Sequence, residues 1–425
     1  MSVSEHFFRH ESGRLVAALT RLFGADRLGL AEDVAQHAFC RALEVWKIRG
    51  IPDNPSAWLL ATAKHRALDV LRSERTARQF APELSRLGAS SRPVEDELAS
   101  AVERAFLPST IRDEQLRMMF SCCQPGLPIP AQIALILNVL CGFGAAEIAS
   151  ALLTGRAAME KRIARGKKLL ARKRSLFDLS DADLEPRLRA VRQALYLLFN
   201  EGYHGASAAS AVRPELCEEA LRLSALLCDG FASSTATLTS TPTSHALSAL
   251  MCLNAARLPA RVDAAGDLVA FSEQDRSRWD ARLVERGLDH FERSRAGAEL
   301  SAFHVEAAIA VAHASAPSFA ATDWSTIVQL YDRLLSVAPS PVAALSRAIA
   351  IGERDGAEAA RSELARLENV VQLRTFPFFH AALGELELRL GDGASARAHL
   401  QAALRLARNE AERRFLQKRL AATAH

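Results

Sequence analysis

Residues 55–72 read Pro55-Ser56-Ala57-Trp58-Leu59-Leu60-Ala61-Thr62-Ala63-Lys64-His65-Arg66-Ala67-Leu68-Asp69-Val70-Leu71-Arg72. Apolar residues return every three or four positions with polar ones between them, the period of an amphipathic helix. The same period runs through Leu30-Ala31-Glu32-Asp33-Val34-Ala35-Gln36-His37-Ala38-Phe39-Cys40-Arg41-Ala42 and through nearly all of the chain. Alternating β-branched runs are scarce, and Ala, Leu, Arg and Glu, all good helix formers, dominate. An all-α fold follows.

Breakers divide this helical sequence. A first block, 5–78, is split into two helices by Ile51-Pro52-Asp53-Asn54-Pro55. Residues 79–109 read as a linker, carrying Pro82, Gly88, Ser90, Ser91, Pro93 and Pro108 with the acidic cluster Glu95-Asp96-Glu97. A second block, 110–176, is broken after its first helix by Gln124-Pro125-Gly126-Leu127-Pro128. A helical extension, 181–295, holds a Ser/Thr-rich loop from Ser233 to Thr243. In the last part, 296–425, Asp355-Gly356-Ala357 and Asp392-Gly393-Ala394 recur 37 residues apart. Around the second copy Leu383, Gly384, Ala396, Leu400 and Ala403 fall at the spacing of a tetratricopeptide (TPR) repeat, so these residues read as TPR-like.

A chain of 425 residues exceeds one ordinary core and implies two or three domains. The net charge of +4 argues neither for nor against nucleic acid, but its distribution does: Thr154 to Arg174 holds nine Lys or Arg against the single acid Glu160. The most apolar run, Ile133 to Leu140, is far shorter than the roughly 20 residues of a membrane span. The N-terminus MSVSEHFFRH lacks the layout of a signal peptide. Seven cysteines form no C-x-x-C pair and read as reduced core thiols of a cytoplasmic protein. No phosphate loop, dinucleotide fingerprint, H-E-x-x-H or G-x-S-x-G occurs. His304 and His313 fall on opposite faces of one helix, and adjacent Cys122 and Cys123 complete no zinc spacing. Neither an enzyme nor a metal or cofactor site is expected.

Residues 144–165 have a helix-turn-helix pattern. Ile148, Ala149 and Leu152 form the inner face of a first helix, Thr154-Gly155 the turn, and Met159 and Ile163 the inner face of a second. Arg156, Lys161, Arg162 and Arg165 are left outward. Such a second helix can enter the major groove and reach base edges, while its cations neutralise phosphates.

The two quoted segments and this hairpin together resemble the extracytoplasmic-function sigma factors of bacterial RNA polymerase. Residues 30–42 are similar to the family's polymerase-binding helix, 55–72 to its promoter-melting segment, and 144–165 to its −35-reading region 4. The resemblance implies as partners core RNA polymerase, through the β′ clamp helices and β flap, and promoter DNA. Asp33, Gln36 and Phe39, at i, i+3 and i+6, are the expected polymerase contacts. Lys64, His65, Arg66 and Arg72 are the expected −10 contacts, with Trp58 a core residue and Asp69 orienting a neighbouring Arg. For the −35 element the candidates are Arg156, Glu160, Lys161, Arg162, Arg165 and Lys168. The family commonly has Asn at His65, and Thr and Lys at Ala158 and Glu160; an acid at 160 weakens phosphate contact but can accept from a cytosine amino group.

The resemblance extends to a subgroup with a fused TPR-like C-terminal domain. It is carried by Ser121-Cys122-Cys123 with Pro125, by Ala194-Leu195-Tyr196-Leu197-Leu198-Phe199-Asn200-Glu201-Gly202-Tyr203, and by Glu273-Gln274-Asp275-Arg276-Ser277-Arg278-Trp279-Asp280. It implies that the extension sets activity through contact with the sigma regions. Candidate regulatory residues are Asn200, Glu201 and Tyr203, which read more readily as a buried helix terminus, and Asp275, Arg276 and Trp279, read as a latch or as a salt-bridged helix start. Two other readings stand beside this one: a helical adaptor with degenerate sigma regions, and a helix-turn-helix repressor acting without polymerase.

Overall fold

The apolar period becomes helix almost everywhere in the computed structural model, which describes residues 5–79, 92–123, 126–151, 154–172, 181–204, 212–230, 239–368 and 370–424. The protein is all-α. Among the described residues the only extended pairing is an isolated antiparallel bridge between Val262 and Leu268. The chain divides into two units: Met1–Leu197 with Asp229–Thr239, and Leu198–Cys228 with Ser240–His425.

The first unit is built around helix α1 (Glu5–Phe23). Its segment Leu15-Val16-Ala17-Ala18-Leu19 is apolar on every side and fully covered, as a helix surrounded by others must be. Around it lie α2 (Leu28–Arg49), α3 (Pro55–Gln79), α4 (Arg92–Ala105) and α5 (Pro108–Cys122). Then come α6 (Ile129–Leu135), running into a π turn at Ile136–Leu140, α7 (Ala145–Ala151) and α8 (Arg156–Ala171). Helix α9 (Asp181–Tyr203) begins here and ends in the second unit.

Two features correct the sequence reading. The 79–109 stretch is no open linker, because α4 lies inside it. Val102, Ala105 and Phe106 are spaced to give one buried face, and the helix packs on α1 and α3. Residues 80–91 of that stretch lie outside the described residues. The two sigma-like blocks also belong to one unit. Gly13 of α1 sits so close to the turn after α6 that a Cβ there would stand 1.9 Å from the Leu140 carbonyl oxygen.

The second unit contains α10 (Pro214–Asp229), α11 (Pro242–Ala255), the single turn α12 (Leu258–Arg261), α13 (Ala281–Ser294) and α14 (Ala302–Ser315). Helices α15 (Trp324–Val337), α16 (Pro341–Asp355) and α17 (Ala357–Ala365) follow, each packed on the one before. After the short α18 (Val371–Arg374), α19 (Pro377–Arg389), α20 (Gly393–Leu406) and α21 (Glu410–Ala421) continue the pattern. The two Asp-Gly-Ala copies are the turns of the hairpins α16–α17 and α19–α20. Gly356 takes a left-handed φ of 96° at the first, and Asp392 caps α20 by accepting from the Ser395 amide at 2.9 Å at the second. In each hairpin a glycine of the leading helix admits its partner closely. Gly352 lies against Ala360, and Gly384 against Leu400.

Candidate nucleic-acid interface

Helix α2 presents one face to solvent and one to the core. Val34, Ala35, Ala38, Phe39, Ala42 and Trp46 are buried. Asp33, Gln36, His37, Cys40, Leu43 and Glu44 line the other face, with Leu43 60% exposed, and Ile48 is 85% exposed beyond them. Asp33 and Gln36 therefore lie where a docking surface would be, and Phe39 does not. Six residues rotate a helix by about 600°, leaving position 39 about 120° from position 33. Phe39 instead packs edge-on against Phe8 of α1, with centroids 5.7 Å apart. Cys40 is likewise corrected from core thiol to exposed side chain, since seven residues return it to the face of Asp33.

An aromatic cluster holds α1, α2 and α3 together. Trp46 lies 5.8 Å from Phe8 and 5.4 Å from Trp58, which keeps Trp58 half-buried between the helices. Polar pinning is added by Glu11, whose carboxylate accepts from Arg14 at 2.8 Å and from the Ser56 hydroxyl of α3 at 3.0 Å.

On α3, His65, Asp69 and Arg72 are exposed at i, i+4 and i+7 on one face, with Arg66 exposed beside them. Lys64 differs from its neighbours. It is half-buried and ion-paired with Glu103 of α4, so a phosphate would have to displace that carboxylate.

Helix α8 resolves the basic stretch into faces. Met159, Ile163, Gly166 and Leu170 form the buried stripe, and a Cβ at Gly166 would stand 2.8 Å from the Leu135 side chain of α6. Opposite that stripe Lys161, Arg165 and Lys168 are exposed at i, i+4 and i+7. Arg156 and Glu160 hold each other in an exposed pair at 2.8 Å, and Arg162 is half-buried. Glu160 thus has a cation of its own, which leaves less of the acid to oppose DNA. Helix α7 precedes α8 with Ile148 and Ala149 buried, while Leu152 lies outside the described residues.

Contacts that no local motif announces join the two halves of this unit. Arg9 of α1 donates to Glu147 of α7 at 2.6 Å, its guanidinium 4.4 Å from the Phe143 ring centroid. Lys167 of α8 donates to Glu32 of α2 at 2.5 Å, beside Asp33.

The regulatory candidates of the second unit are engaged inside it. Tyr203 is buried, stacked on Phe199 at 5.6 Å with the Arg261 guanidinium 4.0 Å above its ring. Asn200 and Glu201 are half-buried in the same last turn of α9. A Cβ at Gly202 would come within 2.8 Å of the Arg213 carbonyl and Cys217 amide, so this helix end is pressed against α10. Asp275 accepts from the Ser277 amide at 2.9 Å, and Arg276 donates to the His313 carbonyl at 2.5 Å and lies 5.0 Å from the Trp279 ring centroid. Arg276 thereby ties its loop to the end of α14. The same unit contains a cavity of about 330 Å³, walled by Phe271, Phe319, Trp324 and Tyr331 and rimmed by Glu353 and Arg389.

Comparison with known proteins finds matches to two segments of the chain. Residues 7–77, which span α1 to α3, match sigma-70 region 2, and residues 187–295 match a family of unknown function, DUF6596. A sigma-70 region 2 at the front supports a sigma-70-type factor, a class that acts in transcription initiation and not as an enzyme. The uncharacterized protein R00370 of Rhizobium meliloti (strain 1021) is 36% identical over 407 residues, covering 95% of this chain and 92% of that protein. The chain belongs to the same family as that protein. Among the described residues no helix is long and apolar enough to cross a membrane.

Proposed function

We propose that this protein is a sigma factor of the extracytoplasmic-function type, working in the cytoplasm. It binds core RNA polymerase through the exposed face of α2 and opens the −10 element with α3. Helices α7 and α8 then read the −35 element, α8 lying in the major groove. The observation that carries this reading is the pair of exposed, outward faces on helices of the same unit: Asp33 with Gln36 on α2, and Lys161, Arg165 and Lys168 on α8. Polar groups beside apolar Leu43 suit a reversible protein interface. Three cations on one helical face suit a phosphate backbone.

Reading both elements at once requires the unit to open. Elements centred near −35 and −10 stand roughly 25 base pairs apart, about 85 Å at about 3.4 Å per step. A compact body of some 200 residues is only about 45 Å across. The Arg9–Glu147 and Lys167–Glu32 pairs would then break on the polymerase, and Lys167 beside Asp33 partly occupies the docking helix beforehand. The C-terminal TPR-like domain sets this balance, and its aromatic-walled cavity offers a place for a ligand.

The test is run-off transcription with core polymerase on a library of the source organism's promoters. Full-length protein is expected to direct specific initiation. Asp33→Ala with Gln36→Ala should reduce it at least tenfold without lowering the melting temperature. Tight duplex binding without polymerase would favour a repressor, and no promoter-specific transcript would leave an adaptor.

A further inference from the structure

Three helices of the second unit bring together side chains 17 and 45 residues apart in sequence. Cys228 near the end of α10, His245 in the first turn of α11 and His290 in α13 offer a sulfur and imidazole nitrogens that all lie within 4.8 Å of one another. The two rings face each other through Nδ1, 2.8 Å apart, a distance at which both nitrogens cannot carry hydrogen. The other nitrogen of His245, Nε2, lies 3.1 Å from the Ser240 hydroxyl. When Nε2–H donates to that oxygen, the Nδ1 lone pair is left aimed into the cluster.

The thiol is buried and its sulfur stands 3.2 Å from the Ser248 hydroxyl, which in turn lies 3.1 Å from the Ser244 carbonyl. The Ser248 hydroxyl gives its hydrogen to that carbonyl, so toward sulfur it accepts from the thiol, a hydrogen the thiol releases when an ion takes its place.

We propose that Cys228, His245 and His290 form a binding site for a divalent ion of the zinc type, with a fourth position left for water or an external ligand. One thiolate and two imidazoles suit a borderline ion, whereas magnesium and calcium take oxygen donors. A hydrogen bond between two histidines accounts for the paired rings. Cys228 brings a sulfur to the same point, within 4.8 Å of the imidazole nitrogens. All three donors lie in the 187–295 segment that matches DUF6596, so the ion would clamp α10, α11 and α13 at the heart of that segment. The site stands independently of the polymerase reading.

The test uses tag-free, reduced, chelator-stripped full-length protein titrated with Co²⁺ and then with Zn²⁺. One Co²⁺ per chain is expected, with tetrahedral visible bands and a thiolate charge-transfer band, displaced by one equivalent of Zn²⁺. Cys228→Ser and His290→Gln should abolish the charge-transfer band and the tetrahedral spectrum respectively, with helical circular dichroism retained. In the unaltered protein, Zn²⁺ should slow alkylation of Cys228 selectively, as read by mass spectrometry. Absence of saturable Co²⁺ binding, bands that survive both substitutions, or Cys228 labelling indifferent to Zn²⁺ would each overturn the assignment.

Discussion

Glu11 illustrates how a single buried carboxylate pins together the helices that match sigma-70 region 2. Burial alone would raise its pKa, but the hydrogen bond with His10, the charge and hydrogen bond of Arg14 and the hydrogen bond from Ser56 together outweigh it and hold the group below its ordinary value. A depressed carboxylate contributes stability above its unfolded pKa of about 4.5, and that contribution fades as pH falls through the lower folded value. Glu11→Gln should therefore cost about 1–3 kcal/mol near neutral pH and flatten the acid limb of the stability profile. Denaturant titrations of both proteins at a series of pH values would show it, and parallel acid limbs would count against this role. The same scale shows where sequence reading reaches and where it stops. Trp58 reads as core from its period and lies against Trp46. Phe39 reads as a docking residue from its i, i+3, i+6 spacing, yet six residues turn a helix too far for one face, and Phe8 of another helix meets it on the inner side.

Among the elements, α8 shows how a run of charge becomes a surface. From the period of Met159 and Ile163 the sequence sets Arg156, Lys161, Arg162 and Arg165 outward among the six cations of this helix. Packing on Met159, Ile163 and Gly166 turns Lys161, Arg165 and Lys168 outward and leaves Arg156 to Glu160. Replacing the three outward cations with alanine should weaken holoenzyme binding to promoter DNA across sequences. It should also reduce the slope of log affinity against log salt by about two to three. Filter-binding or anisotropy measurements between low and moderate salt would decide this, and an unchanged slope would remove α8 from the DNA. Helix α4 was illegible for a different reason. Prolines and an acidic cluster at its start look like linker, while the face that makes it a helix, Val102, Ala105 and Phe106, is short and acquires meaning only against α1 and α3. The Cys228–His245–His290 cluster was hidden more deeply, because its spacing is set by three helices meeting and not by any local motif.

At the level of the whole molecule, the all-α class follows from composition and period. The joining of two sigma-like blocks into one closed unit does not, since it depends on Gly13 against Leu140 and on ion pairs between residues over 130 positions apart. Those pairs are partly exposed, so each contributes no more than about 1 kcal/mol. Binding of labelled full-length protein to bacterial core RNA polymerase, at fixed salt, tests the account most directly. A saturable one-to-one complex is predicted, tightened up to about tenfold when Glu147→Lys and Lys167→Glu oppose Arg9 and Glu32 and loosen the closed unit. No saturable complex with either protein would contradict it.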